Sequence, residues 1–255
     1  MLRLLVLLII SILNYNCLRA ESIIVNNSTG NMTAVAGKGG IAISGGIIIS
    51  GNTVFAERMT DDHKSEIKKN FEGNFSTIKI EGIPSKIFVT CGSYENSIKI
   101  SAEKSALTGI DSYIDNDILR IKLNRSLATN LPINILINTN TKKIKKIVSD
   151  GNSDIYIKNL DGDIFEIKTS GSSSILAVGQ VGELNIFSSG NGNLDLSNLK
   201  SERCNIIING SGDAILNVTK ILSAQINGSG KITYKGNPES VSKHVNGYGN
   251  IIHSM

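Results

Sequence analysis

The chain reads as an all-β protein whose larger part is a parallel β-helix, a solenoid of coils about 19 residues long. Three observations predict this. A short glycine phrase returns six times in the last hundred or so residues, led by Gly151, Gly171, Gly190, Gly210, Gly228 and Gly247. The intervals are 20, 19, 20, 18 and 19 residues, and self-similarity at a fixed period marks a stacked-repeat architecture. Apolar residues stand at constant offsets from those glycines. Finally, 41 isoleucines against six Phe and no Trp favour pleated strands, where β-branched side chains pack well.

Taken in order, the chain begins with a leader. Met1, Leu2 and Arg3 form a short basic start, and residues 4–13 are apolar apart from Ser11. That run is too short for a bilayer, which takes about 20 residues, and suits a signal-peptide core. Residues 1–20 are therefore expected to be a signal peptide, with export to the periplasm, outer surface or medium and no transmembrane segment in the mature chain. Cys17 follows Tyr15 and Asn16 rather than small residues, so a lipid anchor there is not expected. Removing Arg3 and Arg19 leaves 24 basic against 22 acidic residues, a charge of +2. No basic face with stacking aromatics is evident, so nucleic acid is not an expected partner.

Residues 21–74 form a Gly/Ile-rich N-terminal segment. Its Gly37-x-Gly39-x-x-Ala42 pattern lacks the strand and helix of a dinucleotide fingerprint, so the segment is either loosely ordered or a pair of short edge strands. A short helix is expected over residues 60–71. Thr60 can cap it, Asp61 and Asp62 suit the positive end of its dipole, Lys68 and Lys69 the negative end, and Gly73 stops it. From Phe75 the pattern changes to period two, as in Ile78/Ile80, Ile87/Val89, Leu119/Ile121 and Ile133/Ile135/Ile137. Residues 75–255 are read as one domain of short strands, then coils.

Within the repeat, Ile147, Ile167, Ile186, Ile206, Ala224 and Lys243 stand four before each glycine. Ile155, Ile175, Leu194, Ala214, Ile232 and Ile251 stand four after. The glycine is expected at a corner where left-handed φ excludes other residues. Three positions on, Asp154, Ser174, Asn193, Asp213 and Asn250 are expected to hydrogen-bond backbone in the turn, with Lys231 the exception. Lys243 and His253 at formerly apolar positions are expected to blunt the open end.

Chemistry-bearing patterns are sparse. Asp154, Asp161, Asp163, Asp195 and Asp213 are the acids a carbohydrate-active β-helix could use, with Asp161-Gly162-Asp163 the tightest pair. Calcium β-rolls repeat every nine residues, unlike this period, and His63, His244 and His253 lack ligand spacing. No catalytic, cofactor-binding or metal-binding residue is assigned and no cofactor is expected. Cys91 and Cys204 could pair in an exported protein, although small buried residues with free thiols are the simpler reading.

The run from Phe75 to Ile251 resembles the head GIN domain family of putative auto-transporter adhesins. The resemblance is carried by Phe75-Ser76-Thr77-Ile78-Lys79-Ile80, Leu119-Arg120-Ile121-Lys122-Leu123, the turns Asn209-Gly210-Ser211-Gly212-Asp213 and Asn227-Gly228-Ser229-Gly230, and Tyr234-Lys235-Gly236-Asn237-Pro238. It implies a right-handed parallel β-helix and an exported bacterial envelope protein. Because Met255 follows the last repeat closely, no membrane-barrel translocator is expected. The functional expectation is a non-enzymatic binding or adhesion-type scaffold for a glycan or protein. The alternatives are a carbohydrate-active β-helix enzyme and a periplasmic signalling or assembly module.

Overall fold

The computed structural model describes residues 33–37, 40–44, 47–50, 53–56, 64–124 and 132–254, in two compact units, residues 1–62 and 63–255. In the first unit, β1 (Thr33–Gly37), β2 (Gly40–Ser44), β3 (Ile47–Ser50) and β4 (Thr53–Ala56) pair antiparallel in chain order. The stretch expected to be loose or a pair of edge strands is thus a four-stranded meander. The expectations for residues 1–20, Cys17 and His63 fall outside the described residues.

The second unit begins with a correction. Residues 64–70, expected in a helix, form strand β5 (Lys64–Asn70), while Thr60, Asp61 and Asp62 lie outside the described residues. Next come β6 (Thr77–Glu81), β7 (Ser85–Cys91), β8 (Ser97–Glu103), the four-residue helix α1 (Lys104–Leu107), β9 (Ile110–Asp115), β10 (Ile118–Leu123) and β11 (Ile133–Thr139). β5 runs antiparallel to β8 with Ile67 opposite Ile100. Glu66 pairs with Lys99 at 2.8 Å and accepts from Ser101 at 2.9 Å, and Lys68 pairs with Glu95 at 3.0 Å. Helix propensity differs among ordinary residues by less than about 0.7 kcal/mol each. With only Ile67 and Phe71 as an apolar stripe, the open edge of β8 wins.

The repeats follow as β12 (Lys146–Gly151), β13 (Asp154–Gly171), β14 (Ser174–Gly190), β15 (Leu194–Gly210), β16 (Ala214–Gly228), β17 (Lys231–Lys235), β18 (Ser240–Gly247) and β19 (Asn250–His253). They pair parallel, each coil on the one before, in a β-solenoid of about five turns. Register is set by the apolar columns. Ile147, Ile167, Ile186, Ile206 and Ala224 stack directly, as do Ile155, Ile175, Leu194, Ala214, Ile232 and Ile251. These side chains are buried, each isoleucine contributing about 1.5–3 kcal/mol.

The columns also run below the repeats through a coil that does not look like one. β6 lies under β12 and β7 under β13, joined through Gly82, with Ile78 beneath Ile147 and Ile87 beneath Ile155. The chain then leaves for residues 92–145 and returns. In that excursion β10 and β11 continue the parallel stack, β9 follows β10 as an antiparallel strand, and β8 follows β11 antiparallel with β5 beyond it. α1 buries Ala106 and Leu107. The N-terminal end of the solenoid thus finishes in antiparallel strands, with β9 and β5 as its edge strands among the described residues.

The corner is held by a backbone spine. The carbonyls of Gly151, Gly171, Gly190, Gly210 and Gly228 accept the N–H groups of Ser172, Asn191, Ser211, Ser229 and Tyr248 in the coil above, at 2.9–3.0 Å. Gly171 has φ 81°, the conformation expected of a corner glycine. Gly210 is absent from the positive-φ residues; it is glycine because a Cβ there would run into the Gly190 carbonyl oxygen. The second position of the corner adjusts to the coil below. Ser173 fills it beside Ser149, with the hydroxyls 2.9 Å apart, whereas Gly230 leaves room for Ile208. Substituting Val at Gly210 breaks that spine, so we expect a loss above about 1 kcal/mol, roughly a 2–4 °C lower melting midpoint for this size. An unchanged midpoint by circular dichroism would reject the corner assignment.

Candidate functional site

The acids flagged by the sequence have structural uses. Three residues after the corner glycine, the side-chain oxygens of Ser174, Asn193 and Asp213 each accept a backbone N–H from the next coil, whereas below them Ser174 N–H donates to Ser153 O rather than to Asp154. Asn193 N–H donates to Ser174 Oγ at 3.3 Å, Asp213 N–H to Asn193 Oδ1 at 3.0 Å, and Lys231 N–H to Asp213 Oδ1 at 2.9 Å. The bonds run between coils, not within one turn as the sequence suggested. The ladder also accounts for Lys231, which only needs to donate its backbone N–H; its side chain offers no acceptor, and Asn250 N–H in the next coil bonds Gly230 O instead at 3.2 Å. Asp195 accepts from Ser197 N–H at 3.1 Å in a local turn.

Asp161 lines a shallow open groove of about 610 Å³ together with Cys91, Lys142, Asn159, Gln180 and Lys200. Gln180 donates to Asp161 at 3.2 Å. Asp163 is not part of the groove lining and sits 3.6 Å from Lys143 on the surface. The structure therefore separates the uses of this pair. Asp154 is exposed, one coil below Ser174. His244 is exposed on β18, and His253 stacks on Tyr234 at 4.8 Å. Among the described residues, no three His, Cys, Asp or Glu side chains gather as a metal would require.

Two broad outward faces remain, flanking the glycine corner. On the face that approaches it, one row reads Tyr113, Arg120, Lys79, Val148, Lys168, Phe187, Ile207, Gln225 and His244 in register. Its lower half is a charge lattice. Arg120 pairs with Asp115 at 3.2 Å, Lys79 with Glu81 at 2.6 Å, and Glu166 with both Lys146 at 3.2 Å and Lys168 at 2.9 Å. Burial pushes the Glu166 pKa up, but hydrogen bonds from Lys168 and Lys146 outweigh it and hold the carboxyl below its ordinary value.

From β14 upward the charges on this face thin to Glu183, which pairs with Arg203 at 3.9 Å and accepts from Asn185 at 2.7 Å, and amides and hydroxyls fill the rows nearer the corner. Asn185, Asn205, Ser223 and Ser242 form one row, and Ser189, Asn209, Asn227 and Asn246 another. Asn227 donates to Asn209 at 2.7 Å. Between the rows stand Phe187, 40% exposed, and Ile207. Sequence reasoning left the face unmarked. The signal was present as Ser/Asn columns five before the corner glycine and one before it, but choosing a face needs the register.

On the face that leaves the corner, Leu136, Phe88, Tyr156 and Leu176 stack in successive coils. The Phe88 and Tyr156 rings lie 5.0 Å apart and nearly parallel, so each covers a face of the other. Nearby Lys158 is partly buried, which lowers its pKa.

Comparison with known proteins adds the family. The putative auto-transporter adhesin, head GIN domain family matches residues 74–238, more than half of the chain. The chain belongs to this family. Its fold is similar to a crystallised putative adhesin from Bacteroides fragilis, at 21% identity and TM-score 0.55, over 74% of this chain and 97% of that one. More distant likenesses are a putative adhesin from Parabacteroides merdae (17%, TM-score 0.49, 76% and 98%) and a putative lipid binding protein from Parabacteroides distasonis (17%, TM-score 0.46, 76% and 98%). No curated protein matches the chain. Among the described residues, no helix is long and apolar enough to cross a membrane.

In this member of the family the two described cysteines are free and buried, and burial pushes both thiols up to about 12. A thiol that holds its proton more tightly when folded stabilises the fold fully below its unfolded value near 9, and that contribution falls as pH rises toward 12. Replacing Cys91 and Cys204 together by Ala should flatten the loss of stability between pH 9 and 11, read as urea midpoints; an unchanged slope would contradict it. In the corner ladder, Asp213→Leu should cost about 0.5–1.5 kcal/mol, and Asp213→Asn, which keeps the acceptor, close to nothing.

Proposed function

We propose that the protein is an exported, non-enzymatic binding module of adhesion type, holding an extracellular glycan or protein on the approach face above β13. One observation carries the reading. Asn193 and Asp213 at the corners, which could have been reactive or ligating, serve as backbone acceptors between coils. Meanwhile, β14 to β16 expose rows of uncharged donors and acceptors around Phe187 and Ile207. Neutral amides that both give and accept hydrogen bonds, beside an aromatic surface, suit hydroxyl-rich or peptide ligands. Export is supported by the leader pattern of residues 1–20 and by the family's description.

A carbohydrate-active enzyme is the second reading, favoured only by the groove at Asp161. Hydrolysis of a glycosidic bond requires two placed carboxyl groups, and Asp161 is the one carboxylate in that lining. A periplasmic assembly module is distinguished by location. Surface exposure to added protease in intact cells supports the first reading; protection with recovery in the periplasmic fraction supports the assembly role.

Incubated with a panel of polysaccharides and envelope extracts, the protein should retain a ligand without releasing reducing ends or unsaturated products. Phe187→Ala should weaken retention about tenfold or more while leaving the melting midpoint within about 0.5 kcal/mol equivalent. Product release abolished by Asp161→Ala would overturn the non-enzymatic reading, and retention indifferent to Phe187 would remove the approach face.

A further inference from the structure

A glycan and a protein chain repeat at different intervals, and the spacing of the rows on the approach face separates the two. The middle row, Phe187, Ile207 and Gln225 in successive coils, is apolar at its lower end and uncharged along its length. The Asn185 row lies two residues to one side and the Ser189 row two residues to the other, so each polar row stands about 6.7 Å from the middle one. Along the axis like groups follow one another coil by coil, about 4.8 Å apart. The charges that border this strip are matched, Lys168 by Glu166 and Glu183 by Arg203.

Much of the hydrogen-bonding capacity of the polar rows is unspent. Asn227 donates to Asn209 and accepts from Gln225 at 3.1 Å, which leaves the Asn209 amide nitrogen without an acceptor. The side chains of Asn205, Ser223 and Asn246 have no hydrogen-bond partner among the described residues. A ligand that fits is uncharged, apolar on the face it lays down, polar along both edges, and repeats with the coils. A peptide extended along the axis does not fit. Its same-side residues recur about every 6.7 Å and fall back into step with the coils only near about 14 Å.

A chain of equatorially linked pyranoses does fit. It sets C–H faces between two hydroxyl-bearing edges and advances about 5 Å per ring, close to the spacing of the coils. Alternate rings turn over and exchange their edges, but both polar rows carry neutral amides and hydroxyls, which donate and accept alike, so either edge is received. Given the binding role proposed for this face, on which the inference rests, we propose that it holds an uncharged, linear polysaccharide of equatorially linked pyranoses along the solenoid axis. One ring lies on each of β14, β15, β16 and β18, the C–H faces of the lower two over Phe187 and Ile207.

The test is isothermal titration calorimetry on the whole chain with cellobiose, cellotetraose and the N-acetylated chitotetraose, against maltotetraose, whose axial linkage coils the chain. Cellotetraose or chitotetraose should bind about tenfold or more tighter than either cellobiose or maltotetraose, because only a straight tetramer reaches all four coils. Gln225→Ala, one coil above Ile207, should weaken the tetramer about threefold or more with an unchanged melting midpoint. Equal binding of straight and coiled tetramers overturns the inference, as does no gain from two rings to four, indifference to Gln225, or no binding of any of them up to about 10 mM. Such a failure beside Phe187-dependent retention of another glycan or of a protein removes this inference alone. Failure with no Phe187-dependent retention of anything removes the binding role of the face as well.

Discussion

The constraint on which the rest depends is the hydrogen bond from one corner to the next. Each corner glycine turns its carbonyl along the solenoid axis to accept an N–H from the coil above. That bond brings two backbones so close that a side chain on the upper glycine has no room. Because the corner fixes where each coil begins relative to the last, it fixes the register of both strands that meet there. A slip of one residue would turn every isoleucine of a coil outward. The isoleucine columns and the glycine spine are thus one device seen from two sides. Burial supplies the energy and the corner supplies the alignment.

The same alignment decides what the polar residues can do. Side chains that meet their own kind every coil can bond along the axis, and the Ser174, Asn193 and Asp213 ladder does so. Inside the corner, Ser149 and Ser173 pair in the lower coils, and Ile208 against Gly230 replaces them higher up. Groups that looked available for chemistry are drawn into holding coil to coil. What the solenoid leaves outward is shape and pattern rather than reactivity: a charged lattice low on the approach face and rows of amides and hydroxyls nearer the corner above it.

Much of this was legible without coordinates. The six glycines, the columns four before and four after, and the family resemblance all describe a fold set by local repetition, and repetition is visible in sequence. The misread residues 64–70 show the limit. Capping signals and dipole-friendly charges at Asp61, Asp62, Lys68 and Lys69 are weak local preferences. They lose to an edge supplied by β8, about thirty residues away, that no local rule can see. The coil formed by β6 and β7 was missed for the mirror-image reason. Ile78, Gly82 and Ile87 carry the repeat chemistry, but the excursion of residues 92–145 removes the regular spacing by which a repeat is recognised.

By itself, then, the sequence determined the kind of fold, the period of its coils, the residues that face the core and the places where the chain must turn. All of these follow from preferences that each residue expresses with its near neighbours. Only the tertiary structure decided which rows share a surface, that Asp213 serves the backbone of another coil, and that one end finishes in antiparallel strands while the other finishes in a parallel coil. Those properties arise from residues about 20 or more positions apart, and stacking alone brings them together.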